Sequence, residues 1–107
     1  MWWRKVSDPQ TYEAPAGVPG PDEVRSLRLF KFDTCPYCVR VFRVMDKHDI
    51  RPELADTRQD QLARQELYSL TGRTQVPCLF IDGVPLFESE DIANWLEAYA
   101  IRGAKNA

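Results

Sequence analysis

A chain of 107 residues with 44% apolar content suits one domain built on a single core, with little room for further lobes. Lysine and arginine number 14 against 16 acids, and the isoelectric point lies near 5.4, so no surplus of positive charge is present to neutralise a phosphate backbone and no nucleic-acid partner is expected. No apolar run approaches the roughly 20 residues of a membrane-spanning helix, and the opening "MWWRKVSDPQTYEAPAGVPGPDE" has no apolar stretch of secretion-signal type, so a cytoplasmic location is expected.

Residues 1–26 read as an extended arm. Four of the eight prolines (Pro9, Pro15, Pro19, Pro21) and two of the five glycines (Gly17, Gly20) fall here, which denies the segment a helix or strand of useful length. Trp2 and Trp3, followed by Arg4 and Lys5, are its odd feature. Loose packing or mobility is the plain reading, and a partner or membrane-interface contact is the functional one.

From Leu27, "LRLFKF" alternates and is apolar enough for a buried strand. Cys38, Val41, Phe42 and Met45 follow at helical spacing, one face of a helix that fades near His48 to Ile50. "RPELAD" reads as a short second strand. Leu62, Glu66, Leu67 and Leu70 then mark a second helix, closed by Gly72. "VPCLFI" and "VPLFE", separated by Asp82 and Gly83, form a hairpin. Ser89 caps a last helix whose apolar face is Ile92, Trp95, Leu96 and Tyr99. The domain thus covers 27–101, with a short tail at 102–107. Its β-α-β-α-β-β-α order needs a right-handed crossover between two parallel strands, which predicts an α/β fold: a mixed four-stranded sheet with three helices, a minimal thioredoxin-like architecture.

Cys35 and Cys38 stand where the first strand meets the first helix, in "TCPYC". A thiol attacks a disulfide only as thiolate. The first amides and the macrodipole of a helix starting near Pro36 point at Cys35 and favour that anion, which makes Cys35 the attacking sulfur, expected to be open to substrate. Pro36 sacrifices no hydrogen bond in the first turn. Cys38 is within reach to release a mixed disulfide, and its place on the apolar face makes it the more buried sulfur. Tyr37 is expected to stand exposed between them and shape a groove. A closed zinc site needs four nitrogen or sulfur ligands, whereas three cysteines and a single histidine, His48 at the far end of the helix, do not make one; no metal is expected. His48 reads as a helix-ending residue. Two structural cysteines would be the bland account of the pair, but packing alone does not explain a proline between them at a helix entry. Pro77 has a plain role as the first residue of an edge or hairpin strand. Cys78 reads as a buried, inert thiol.

"TCPYC" at 34–38, "QVPCLFIDG" at 75–83 and "SEDI" at 89–92 resemble a dithiol glutaredoxin over residues 27–100. The resemblance implies a glutathione-dependent thiol–disulfide oxidoreductase, a monomer in electron transport. Its redox-active pair Cys35 and Cys38 would reduce glutathionylated or disulfide-containing proteins, and glutathione would restore the dithiol. It further implies that Pro77 is a cis-proline facing Cys35, and that the Val76 backbone pairs with the cysteinyl part of glutathione. Ser89 would take the γ-glutamyl carboxylate, and Glu88, Glu90 or Asp91 its amine. Lys31, Arg73 and Arg40 are the candidates for the glycine carboxylate. The chain departs from the family in placing Phe32, not lysine, three residues before the first cysteine. It also has Phe87-Glu88 where the family has a glycine pair, so that "FESEDI" resembles the Glu-Ser element of glutathione transferase N-terminal domains. Two other functions follow from these likenesses. One is a carrier holding an iron–sulfur cluster through Cys35 and glutathione; the other is a transferase-like glutathione-binding domain, for which residues 101–107 are too few to supply a second, helical domain.

Overall fold

In a computed structural model residues 8–22 and 26–103 are described; Trp2, Trp3, Arg4 and Lys5 lie outside them. The elements follow the order read from the sequence: β1 (Leu27–Lys31), α1 (Pro36–His48), β2 (Glu53–Asp56), α2 (Gln61–Thr71), β3 (Cys78–Ile81), β4 (Val84–Phe87) and α3 (Ser89–Ala98), with a π-helical turn at Tyr99–Gly103. The sheet order is β2-β1-β3-β4, β1 and β2 being parallel and the other pairs antiparallel. This is a thioredoxin-like fold. Because β3 opposes β1 and β2, the loops after β1, after β2, before β3 and after β4 all emerge at one end of the sheet. Across that end they stand in strand order: 57–60, 32–35, 72–77 and 88.

Strand alternation divides the apolar side chains between two layers. Leu29, Leu79, Ile81 and Leu86 meet Val41 and Met45 of α1 and Ile92, Trp95 and Leu96 of α3. On the opposite face Phe30, Ala55, Cys78 and Phe80 meet Ala63 and Leu67 of α2. The hairpin turns on Asp82 and Gly83, at φ 48° and 86°, the paired positive values that a two-residue turn requires. Asp82 also accepts the Ser26 amide at 2.8 Å, which fixes the entry to β1.

The second helix stands where the sequence marks it, but of its leucines only Leu67 is buried; Leu62 and Leu70 are 73% and 58% exposed. The helix buries only Ala63 and Leu67, and Glu66 turns instead to Arg28 of β1, 2.6 Å away. Ser89 is not the cap of α3 but its first residue; Glu88 holds the cap position.

The proline-rich segment packs against α3. Trp95 is fully buried, stacks on Tyr99 at 5.3 Å, and donates its indole N–H to the Pro19 carbonyl at 2.9 Å. Arg102 pairs with Asp22 at 2.8 Å and donates to the carbonyls of Tyr12 and Pro9 at 2.7 and 3.3 Å. Four prolines cannot supply a ladder of amides, so the segment is held by its carbonyls. No helix among the described residues is long and apolar enough to cross a membrane.

Two carboxylates tie elements together. Burial works to raise the Asp56 pKa, but the amides of Gln59 and Arg58 and the ammonium of Lys31 outweigh it and hold the group below its ordinary 3.8. At Glu97 burial is likewise outweighed, by His48 at 2.6 Å and Lys47 at 3.1 Å, and the pKa falls below 4.5. Both folded values lie below the unfolded ones, so the stability these groups contribute is complete above about pH 4.5 and is lost as pH falls through the lowered values. The thermal midpoint is therefore expected to drop below pH 4. An Asp56→Asn, Glu97→Gln double variant, less stable at pH 7, should show a flatter acid limb; an unchanged limb would refute the assignment.

Candidate active site

Pro36 opens α1, and Cys35 is its N-cap, with extended backbone at φ −73° and ψ 118°. The Cys35 Sγ accepts the Cys38 N–H at 3.3 Å, while the Cys35 N–H donates to the Phe32 carbonyl at 3.2 Å. The sulfur thus stands where a serine or aspartate oxygen ordinarily caps a helix, facing free amides and the positive end of the dipole. The sulfur also lies 4.0 Å from the Val76 carbonyl oxygen, beside the cis Val76–Pro77 bond.

Cys35 is 4% exposed and Cys38 fully buried. The order of burial matches the sequence reading, but the openness expected of Cys35 does not. Its Sγ is turned inward, toward the α1 amides and the Val76 backbone, and Tyr37, 67% exposed, carries the surface of the loop in its place. Burial, and then the hydrogen bond to Cys35, pushes the Cys38 thiol up, so Cys38 stays protonated at neutral pH. Burial also pushes Cys78, on the α2 side of the sheet, up to about 12.

Tyr37, Gln75, Val76, Pro77, Glu88 and Ser89 line a groove of about 300 Å³. Five of these six were singled out from the sequence; Gln75 was not. The remaining candidates are dispersed. Arg40 and Glu90 face each other at 3.7 Å across α1 and α3. Asp91 borders another cavity, with Tyr12 and Asn94 beneath the proline-rich segment. Lys31 is taken up by Asp33 at 2.7 Å and Asp56 at 3.3 Å, its side chain 12% exposed, because alternation along β1 sends it to the α1 side of the sheet. Arg73 stacks 4.5 Å from the Phe87 ring and donates to Gln75 at 3.1 Å. With Arg64 and Tyr68 it lines a cavity of about 530 Å³, and Gln75, to which it donates, lines the groove. Arg64 carries no sequence signal beyond an arginine on an exposed helix face; only the fold brings it beside Arg73.

Glu88 adopts φ 76° and ψ 117°, a region that non-glycine residues enter at a cost of about 1–3 kcal/mol. Its carbonyl accepts the Ile92 amide at 2.9 Å, and its side chain makes no cap bond. A Glu88→Gly variant is accordingly expected to be more stable, by about 1 kcal/mol once the added freedom of the unfolded chain is subtracted, and to carry one acid fewer in the groove. Urea unfolding checks the first effect. A destabilised variant would show that the strain is absent.

The glutaredoxin family model matches residues 27–86, more than half of the chain. Among solved structures, a Leishmania trimeric glutathione transferase is 29% identical with a TM-score of 0.58, over 68% of this chain but only 16% of that protein. A buckwheat glutaredoxin–glutathione complex is 26% identical, TM-score 0.52, over 61% of this chain and 62% of that one. A dithiolic glutaredoxin of Trypanosoma brucei brucei is 25% identical, TM-score 0.52, over 62% and 71%. No curated protein sequence matches. With its cysteine pair at the head of α1, a groove beside Val76 and a matched segment running from β1 into β4, the chain belongs to the glutaredoxin family.

Proposed function

We propose that the protein is a glutathione-dependent thiol–disulfide oxidoreductase in which Cys35 is the nucleophile and Cys38 the resolving thiol. The observation that carries this reading is the Cys35 Sγ capping α1, 3.3 Å from the Cys38 amide. The Cys35 thiolate attacks the glutathionyl sulfur of a mixed disulfide; the Cys35–glutathione bond forms, the partner's sulfur leaves as thiolate and takes up a proton. A second glutathione then attacks as thiolate and departs as glutathione disulfide, returning Cys35 to its thiolate. In the alternative branch Cys38 gives up its proton, displaces glutathione and closes the Cys35–Cys38 disulfide, which two glutathiones reduce.

The groove supports glutathione in particular. The Val76 backbone offers strand-like pairing for its cysteinyl part. Ser89, at the start of α3, offers an amide and a hydroxyl to the γ-glutamyl carboxylate, and Glu88 a partner for its amine. Arg73, one of the three cations the resemblance offers with Lys31 and Arg40, supplies charge for the glycine carboxylate together with Arg64.

The test is reduction of the mixed disulfide of glutathione and 2-mercaptoethanol, followed through coupled oxidation of NADPH by glutathione reductase. An Arg64→Gln, Arg73→Gln double variant should raise KM roughly tenfold with kcat little changed, the signature of lost ground-state binding. A wild-type protein without this activity would overturn the proposal.

A further inference from the structure

Across the sheet end, Cys35 separates two different surfaces. On its β3–β4 side lies the groove of Gln75, Val76, Glu88 and Ser89. On its β2 side stands Phe32, whose carbonyl holds the Cys35 amide at 3.2 Å, with the Arg58 guanidinium 4.1 Å from the Phe32 ring centroid. Arg58 is positioned by more than this stacking. Asp56 accepts both the Arg58 and the Gln59 amides at 2.9 Å, and the Thr57 amide bonds the Lys31 carbonyl at 2.9 Å, stapling the loop after β2 to β1. The same Asp56 neutralises Lys31. Arg58 is exposed and meets no carboxylate among the described residues. One loop therefore suppresses the strand's own cation and presents another, on an aromatic platform, at the rim of the cysteine loop.

We propose that Arg58 is a specificity-determining residue that receives an acidic side chain of the protein carrying the disulfide, next to the cysteine being reduced. This rests on the oxidoreductase reading above: with the glutathionyl half in the β3–β4 groove, the partner half leaves over the β2 side, where Phe32 and Arg58 stand. A guanidinium stacked on a ring keeps its in-plane donors free for a carboxylate. The pair is exposed, so its effect is modest and salt-sensitive.

The experiment compares two glutathionylated peptides, identical except for aspartate or asparagine beside the cysteine, alongside the small glutathione–mercaptoethanol disulfide. The wild-type protein is expected to favour the acidic peptide about threefold in kcat/KM at low salt, a preference that fades at high salt. Arg58→Gln should bring that ratio to about one while the small disulfide is reduced at the wild-type rate, and Arg58→Lys should restore part of the preference. The proposal is overturned if wild type shows no preference, if Arg58→Gln keeps it, or if Arg58→Gln slows the small disulfide equally, which would make Arg58 a glutathione contact. Wild-type inactivity toward the small disulfide would sink the oxidoreductase reading instead, a different and recognisable result.

Discussion

A Cys35→Ser variant is expected to lose reduction of the glutathione–mercaptoethanol disulfide by about a thousandfold or more, the scale seen when a nucleophile is removed. Serine preserves the cap, since its hydroxyl accepts the amide of residue 38 as the sulfur does, so α1 and the fold should survive. The loss is then chemical. Cys38→Ser should behave differently, retaining deglutathionylation within roughly a fewfold of wild type, because a second glutathione replaces the resolving thiol. It should also accumulate a glutathionyl adduct on Cys35, visible by mass spectrometry, while losing reduction of intramolecular protein disulfides. Equal loss in the two variants would contradict the division of labour. Because Cys35 is 4% exposed, small disulfides should react faster than bulky alkylating reagents, and the reverse order would show that the inward sulfur is not the reacting state.

The largest effect on stability is expected at Trp95. It is fully buried between the sheet-side core and the proline-rich segment, and its replacement by alanine should cost about 3–5 kcal/mol through the lost transfer energy and the cavity left behind. Against a total of about 5–15 kcal/mol for a domain, that brings the protein close to unfolding at physiological temperature. Trp95→Phe separates two contributions: it keeps most of the packing and removes the 2.9 Å bond to the Pro19 carbonyl, worth about 1 kcal/mol. Urea midpoints measure both. If the two substitutions prove equally mild, the segment does not depend on α3 for its place.

The fold was legible because its signals are local. Alternation from Leu27, helical spacing from Cys38 and the Asp82-Gly83 turn each specify an element without knowledge of the rest, and the chirality of the crossover assembles them. What was not legible depends on neighbours. The face that α2 buries is set by the sheet beneath it: Ala63 and Leu67 face inward, Leu62 and Leu70 stand exposed, and leucine spacing alone does not separate them. The cap of α3 was misjudged because serine is the better capper in isolation; here Glu88 takes the unusual backbone angles. At the candidate site, short motifs carry Cys35, Cys38, Val76 and Pro77, and the fold brings Cys35 to the Val76 backbone. Arg58 and Arg64 carry no such motif; only the fold sets Arg58 over the Phe32 ring and Arg64 beside Arg73. The proline-rich segment was given no role, and its bonds to Trp95 and Arg102 span separations no local pattern can reveal.

Those separations bear on biosynthesis. Pro19 and Trp95 are 76 positions apart, and at about 5–20 residues per second a ribosome needs roughly 4–15 s to deliver the indole after the proline. Throughout that interval the indole that donates to the Pro19 carbonyl is missing, while β1, α1 and β2 are already free to assemble. The nascent chain must therefore hold its first tethered residues in waiting, and any binder that captures them before α3 emerges would compete with completion of the domain.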